Sequence, residues 1–202
     1  MAGSTPQAPL ILASASPRRL ELLQQIGFSP VVHPADVDET PWPSESPDAY
    51  VARIAQAKVS AVAALYPHAV VIGSDTTVVG PSGILGKPKD HAEARAMLQQ
   101  LRGRHHQVLT AVCVAQGEHI EQKTVASQVL FRLLNDAEID AYIASGEPMD
   151  KAGAYAIQGL GAVFVAHLEG SYSGVMGLPL CETAALLKPF GLHPLQASDL
   201  VS

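Results

Sequence analysis

The feature that most restricts the fold of this 202-residue chain is a run of four apolar residues that passes straight into a helix start. Leu10-Ile11-Leu12-Ala13 suits a short buried strand. Ser16 then stands as N-cap with Pro17 at the first helical position, and Leu20, Leu22, Leu23 and Ile26 follow at helical spacing up to Gly27, which stops the helix. Between strand and helix lies the small-residue turn Ser14-Ala15. The free N–H groups of a helix start and its positive dipole end make such a turn an anion site. Arg18 and Arg19 sit in the first helical turn, against that dipole, at roughly a few tenths of a kcal/mol per charge. They are either two solvated surface charges or the flanks of an anion such as a phosphate chain.

The same alternation continues. Phe28–Val32 suits a second strand, confined to an edge by Pro30. Residues 34–47 hold four prolines and four acidic residues and make a surface loop. Ser46-Pro47 opens a helix running to about Leu65, and Ala69–Ile72 is a strand leading into Gly73-Ser74-Asp75-Thr76-Thr77. Val78 to Leu85 is expected to form a hairpin turning at Gly80-Pro81-Ser82-Gly83. Asp90 with Glu93 caps a helix that ends near Gly103. Gln107–Ala115 and Ile120–Leu133 form an antiparallel hairpin around Gln116-Gly117-Glu118. Asn135 with Glu138 caps a further helix stopped by Gly146. A strand over Ala162–His167 and a helix from about Pro179 to Leu187 complete the chain. The expected class is a mixed α/β sheet flanked by helices, as a single domain over 10–195 behind a flexible tail at 1–9.

Within that frame Lys58 is out of place. Val51, Ile54, Ala55, Val62 and Leu65 form one apolar stripe, with Lys58 in its middle. It must snorkel, pair, or reach into a cleft, and a cleft shared with Arg18 and Arg19 explains both oddities. Asp75 follows the apolar run of 69–72 and is expected at a strand's end, where a carboxylate accepts a proton from water or holds a metal; an ordinary turn aspartate looks the same in isolation. Lys87 follows the hairpin and returns to the same edge, or is a solvated loop lysine. Asp36-Val37-Asp38-Glu39-Thr40 matches a D-x-D-x-T phosphatase nucleophile only superficially, because Pro34 interrupts the strand that motif requires. The acidic cluster still suits a divalent cation. His105-His106 lacks the spacing of a zinc site.

A net charge of −6 disfavours a nucleic-acid polymer as partner, and none is expected, but it leaves room for a small anion held by a few converging cations. A hydrophobic fraction of 48% supports a real core. The two cysteines, Cys113 and Cys181, are expected as reduced buried thiols. With neither a signal peptide nor a membrane-length apolar run, the expectation is a soluble cytoplasmic protein with no membrane partner.

Taken in order, these pieces resemble the Maf family of nucleotide pyrophosphatases, named for a septum-formation phenotype. The matching stretches are Leu12 to Arg19, Asp36 to Glu39, Ala57-Lys58, Gly73 to Thr76, Gly86-Lys87-Pro88, Lys151 to Gly159, and Gly170-Ser171-Tyr172 through Leu180. The resemblance implies a fold related to the inosine-triphosphate pyrophosphatases, with a nucleotide in a cleft between two lobes. It implies a divalent cation, magnesium or manganese, and a homodimer. It makes Asp75 the proton acceptor for the attacking water, gives Ser16, Arg18, Lys58 and Lys87 the triphosphate, and gives Glu39 a part in metal binding. Arg19, Thr76 and Gln158 match positions that separate a dTTP/UTP group from a 7-methyl-GTP group. The Gln158 amide both donates and accepts, which suits the O4 and N3–H edge of uracil or thymine. The expected activity is hydrolysis of dTTP and UTP to monophosphate and pyrophosphate. Two readings compete: a nucleotide-binding regulator of division or septum formation with little catalysis, and a phosphomonoesterase using Asp36 and Asp38.

Overall fold

Strand β3, Val70–Gly80, is the axis of the structure. The computed structural model describes residues 8–194, so most of the expected tail and the expected domain end at 195 lie outside the described residues. Around β3 are β1 (Leu10–Leu12), α1 (Pro17–Gln25), β2 (Val31–Val32), α2 (Pro47–Ala63) and β4 (Gly83–Leu85). Then come α3 (His91–Leu101), β5 (His105–Gln116), β6 (His119–Phe131), α4 (Asp136–Ala144), β7 (Val165–Glu169), α5 (Tyr172–Met176) and α6 (Leu180–Leu187). The sheet runs β2-β1-β3-β5-β6-β7, with β4 paired to β3 off that path. Pairing is parallel at β2-β1-β3 and antiparallel elsewhere, so the sheet is mixed, as expected.

The two edges of β3 are unlike. On one, β5 pairs continuously from Val71 to Val79. A strand has only two edges, so β1 and β4 share the other: β1 pairs with Val70–Ile72 and β4 with Val78–Gly80. Residues 73–77 face an opening in the sheet between them. This corrects the expectation that the strand ends before Asp75. What ends at Ile72 is its parallel partner, while β5 keeps pairing with Gly73, Ser74 and Asp75. Gly73 is a packing notch and not a strand breaker, since a Cβ there would lie 2.8 Å from Val59 Cγ2 on α2.

Side chains alternate across β3. Val71 faces α2 in a cluster with Val51, Ala55, Val59 and Val62. Val70 and Ile72 face the other layer, with Leu22 and Leu23 of α1 and Leu187 of α6. A third cluster joins α3 and α4 to Val108, Phe131, Tyr155 and Phe164. Asp75 therefore shares the α2 face with Lys58, whereas Ser74 and Thr76 point to the α1 side.

Other boundaries differ in detail. Leu65 is exposed, past the end of α2. Residues 160–164 form a 3-10 turn before β7, because Arg132 draws this segment off the ladder: its N–H donates to the Phe164 carbonyl and its Nε–H to that of Val163. Helix α5, N-capped by Ser171, lies in a glycine-rich stretch with no apolar period. Cys113 is buried in β5, which pushes its thiol up to about 12, but Cys181 is exposed and corrects that expectation. Asn135 and Glu138 form a complete capping box. Glu93 instead accepts from the Lys89 N–H, while its own N–H donates to Asp90.

The notch makes a test. Gly73→Ala should cost about 1–3 kcal/mol by overpacking against Val59, lowering the thermal midpoint by roughly 2–4 °C per kcal/mol. An unchanged midpoint would mean that α2 is not held by this contact.

Candidate active site

The opening beside residues 73–77 leads into a cleft of about 680 Å³. Nine residues singled out from the sequence line it: Ser16, Arg18, Arg19, Glu39, Lys58, Asp75, Thr76, Lys87 and Gln158. Asp36 and Asp38 do not. Asp38 instead accepts from the Thr40 N–H of its own loop at 2.9 Å.

Lys58 reaches the cleft from the buried face of α2, only 8% exposed, and pairs in the course of doing so. Its Nζ donates to Asp75 Oδ1 at 2.8 Å and lies 2.7 Å from Glu39 Oε1. One ammonium thus holds two carboxylates, one from β3 and one from the loop before α2. Burial pushes the Asp75 carboxyl above its ordinary range, further than the charge and hydrogen bond of Lys58 and the charge of Arg19 pull it down. Glu39 goes the other way. Partial burial raises it, but the hydrogen bond and charge of Lys58, with Lys87 and Arg19, hold it below the usual value. Two neighbouring carboxyls are thus driven apart, a pattern shared by acid–base sites and by structural ion-pair networks.

The loop carrying Glu39 is itself pinned. Arg53 of α2 grips Glu45 through Nε and Nη2 and donates to the Thr40 carbonyl. The Tyr50 hydroxyl donates to the Glu39 carbonyl at 3.0 Å; burial first, then Asp75 and Glu39, push that phenol up to about 12.

On the far face, Arg19 is not a solvated surface arginine. Its Nε donates to the Gly177 carbonyl at 3.0 Å and its Nη1 to the Ser14 hydroxyl at 3.1 Å, with Nη2 3.5 Å from Thr76 Oγ1. Burial lowers its pKa, with Asp75 acting to raise it. Thr110 donates to the Gly174 carbonyl at 2.7 Å, so the 3.0 Å contact between Thr76 and Thr110 must use the Thr76 proton. Thr76 therefore offers the cleft an acceptor. Arg18 is 3.9 Å from Asp150, and Lys87 and Gln158 are exposed on the wall. Ser16 is the N-cap residue of α1 by position, but its hydroxyl makes no capping bond; its N–H donates to Ser14 Oγ.

Sequence reading missed several residues here. Ser14 is the buried acceptor that orients Arg19. Gly177 accepts from both Arg19 and Ser74. Asp150, Lys151 and Tyr155 line the cleft from the 147–155 segment. The only sequence signal for Lys151 and Tyr155 was membership of a long motif, which Asp150 just precedes, with no charge or periodicity out of place. His106 supports Tyr155, its Nε2 2.9 Å from the phenol; burial pushes it down to about 4, so it is neutral at physiological pH.

Among the described residues no group of three His, Cys, Asp or Glu is arranged to hold a metal. Glu39 and Asp75 each present hard carboxylate oxygens to the cleft, with Lys58 Nζ in the space between them. An ion of the magnesium type takes one or two carboxylates and completes its shell with water and substrate phosphates.

The model of the family described as Maf-like protein matches residues 9–190. A protein of Pasteurella multocida named dTTP/UTP pyrophosphatase is 52% identical over 191 residues, covering 90% of this chain and 96% of that one. One of Myxococcus xanthus with the same name is 53% identical over 186 residues, covering 92% and 94%. The solved Ham1 protein of Staphylococcus aureus overlays at 20% identity with a TM-score of 0.43, over 60% of this chain and 69% of that one, too loosely to carry an argument. No helix among the described residues is long and apolar enough to cross a membrane.

Removing the shared ammonium tests the electrostatics. Lys58→Met leaves Asp75 buried without its cation and should cost about 3 kcal/mol at neutral pH, the low end for a broken buried pair because the cleft admits water. In the variant Asp75's folded pKa lies further above its unfolded value. The unfolded chain therefore loses its proton first, and the penalty is absent at acid pH and grows as pH rises from about 4. Denaturant unfolding across pH measures it; a pH-independent penalty would contradict the pairing.

Proposed function

The chain belongs to the Maf-like protein family, and on that premise we propose that it hydrolyses pyrimidine nucleoside triphosphates, dTTP and UTP, to the monophosphate and pyrophosphate. The observation that carries this reading is a buried, upward-shifted Asp75 at the sheet opening, in a cleft ringed by Arg18, Arg19, Lys58 and Lys87.

In the proposed reaction Asp75 takes a proton from water as the water oxygen bonds to the α-phosphorus. The bond from that phosphorus to the bridging oxygen breaks, and pyrophosphate leaves. A raised pKa makes Asp75 a better base than an ordinary carboxylate, while Lys58 keeps it ionised. Charge grows on phosphate oxygens during attack, and cations already fixed in place stabilise it without reorganising. Arg18 and Lys87, with the α1 amides near Ser16, receive the polyphosphate. Lys58 is shared with Glu39 and Asp75 in the free protein, so it also sets their spacing. A magnesium or manganese ion, held by Glu39 and substrate phosphates, would supply further neutralisation of phosphate charge.

Base choice is assigned to Thr76 and Gln158. An acceptor at Thr76 and an amide at Gln158 suit a thymine or uracil edge; hydrogen-bonding sites of this kind reject wrong bases because mispairing strands buried polar groups. The relatives' name, dTTP/UTP pyrophosphatase, supports the same choice. A homodimer is part of the proposal, as is a cytoplasmic setting, which the two free thiols suit. A regulator with little turnover would have no use for an upward-shifted carboxylate beside the phosphate-binding cations.

Incubation with a nucleotide panel and magnesium or manganese should release pyrophosphate, fastest from dTTP or UTP; orthophosphate, or preference for 7-methyl-GTP, would refute it. Asp75→Asn should lower kcat by at least about 10²-fold while triphosphate binding survives. For the unmodified protein, kcat/KM should fall as pH drops through the raised Asp75 pKa, so the acid limb lies above the ordinary value of 3.8.

A further inference from the structure

We propose that Lys151 is a further polyphosphate-binding residue of this cleft, its ammonium passing from Asp150 to the substrate when a nucleoside triphosphate enters. The inference rests on the functional reading above and extends it to a residue outside the set derived from the sequence.

Lys151 lines the cleft, and its side chain is 13% exposed, so a strongly hydrated ammonium is kept largely out of bulk water. Among the described residues its ion-pair partner is Asp150, whose own side chain is 70% exposed. The same Asp150 carboxylate lies 3.9 Å from Arg18 on α1. Two cations, one on α1 and one on the 147–155 segment, therefore converge on one small, solvated anion. A single carboxylate carries at most one negative charge for two positive ones. A triphosphate carries more charge and more acceptor oxygens, and it is the better partner for both cations.

The backbone around Lys151 is over-determined in a way that a solvated loop lysine does not need. Ala154 adopts φ +59 without being glycine, and Gly153 sits at φ +68 where a Cβ would lie 2.9 Å from Val78. The Gly153 N–H donates to the Gly86 carbonyl at 3.1 Å, which ties this turn to the residue before Lys87. Strain held in place by packing marks segments whose position matters. Here it ties the turn that follows Lys151 to the segment that carries Lys87. The hydrogen bonds that hold the turn are backbone bonds, Lys151 N–H to Pro148 and Ala154 N–H to Lys151, so they survive replacement of the side chain.

Calorimetric titration of the full chain with an α,β-imido analogue of dTTP and with dTMP tests this, with thermal midpoints as folding controls. K151M should weaken the analogue by roughly tenfold or more, the loss of one charge-assisted contact, and leave dTMP within about twofold. K151R should retain most of the analogue affinity. D150N should tighten the analogue, because the competing carboxylate is gone; weaker binding would overturn the hand-over from Asp150. A K151M protein that binds the analogue as the unmodified chain does, or that loses analogue and dTMP equally, overturns the role of Lys151. An unmodified protein that binds no analogue at all overturns the functional reading, and this inference with it.

Discussion

Everything in the cleft depends on one strand having two partners where it would ordinarily have one. Along one edge of β3 the pairing with β5 never breaks, and along the other β1 stops at Ile72 and β4 begins at Val78. The continuous edge pairs the backbone of β3 from Val71 to Val79. The interrupted edge opens the sheet, and side chains from both of its faces reach a common space. Asp75 and Lys58 arrive from the α2 side; Thr76 and Arg19 arrive from the α1 side. A strand paired along both edges would bury these groups in separate layers.

Charge follows the same division. The chain carries a net charge of −6, yet five basic residues, Arg18, Arg19, Lys58, Lys87 and Lys151, meet in the cleft beside β3. They are kept apart until needed by local anions: Glu39 and Asp75 on Lys58, Asp150 near Arg18. Arg19 has no carboxylate within pairing distance among the described contacts and is held by two backbone and side-chain oxygens and a threonine instead. It is a fixed positive wall, whereas Lys58 and Arg18 can exchange partners.

The sequence showed the site better than it showed the strand that makes it. Lys58 was legible because a charge inside an apolar helical stripe violates a period, and Arg18 and Arg19 because they oppose a helix dipole. Asp75 was legible as a residue of the cleft but misplaced within its strand. Gly73 looked like a strand end, and only the pairing of β5, more than thirty residues away, reveals it as room for Val59. Long-range pairing of this kind leaves no local trace. The 147–155 segment was opaque for a related reason: its turns are set by contacts to Val78 and Gly86, not by its own periodicity. Helix α5 was missed because Ser171 caps only five residues of it, too few to establish a period.

The chain of hydroxyls behind Thr76 has a consequence of its own. Thr110 is buried and does not line the cleft, but by spending its proton on Gly174 it dictates which way the Thr76 proton points. The surface a ligand meets at position 76 is thus set from a position the ligand never touches. A valine at 110 would leave that hydroxyl free to rotate and to present hydrogen in place of a lone pair. The hydrogen-bond polarity of the cleft wall can then change while every residue lining it stays the same.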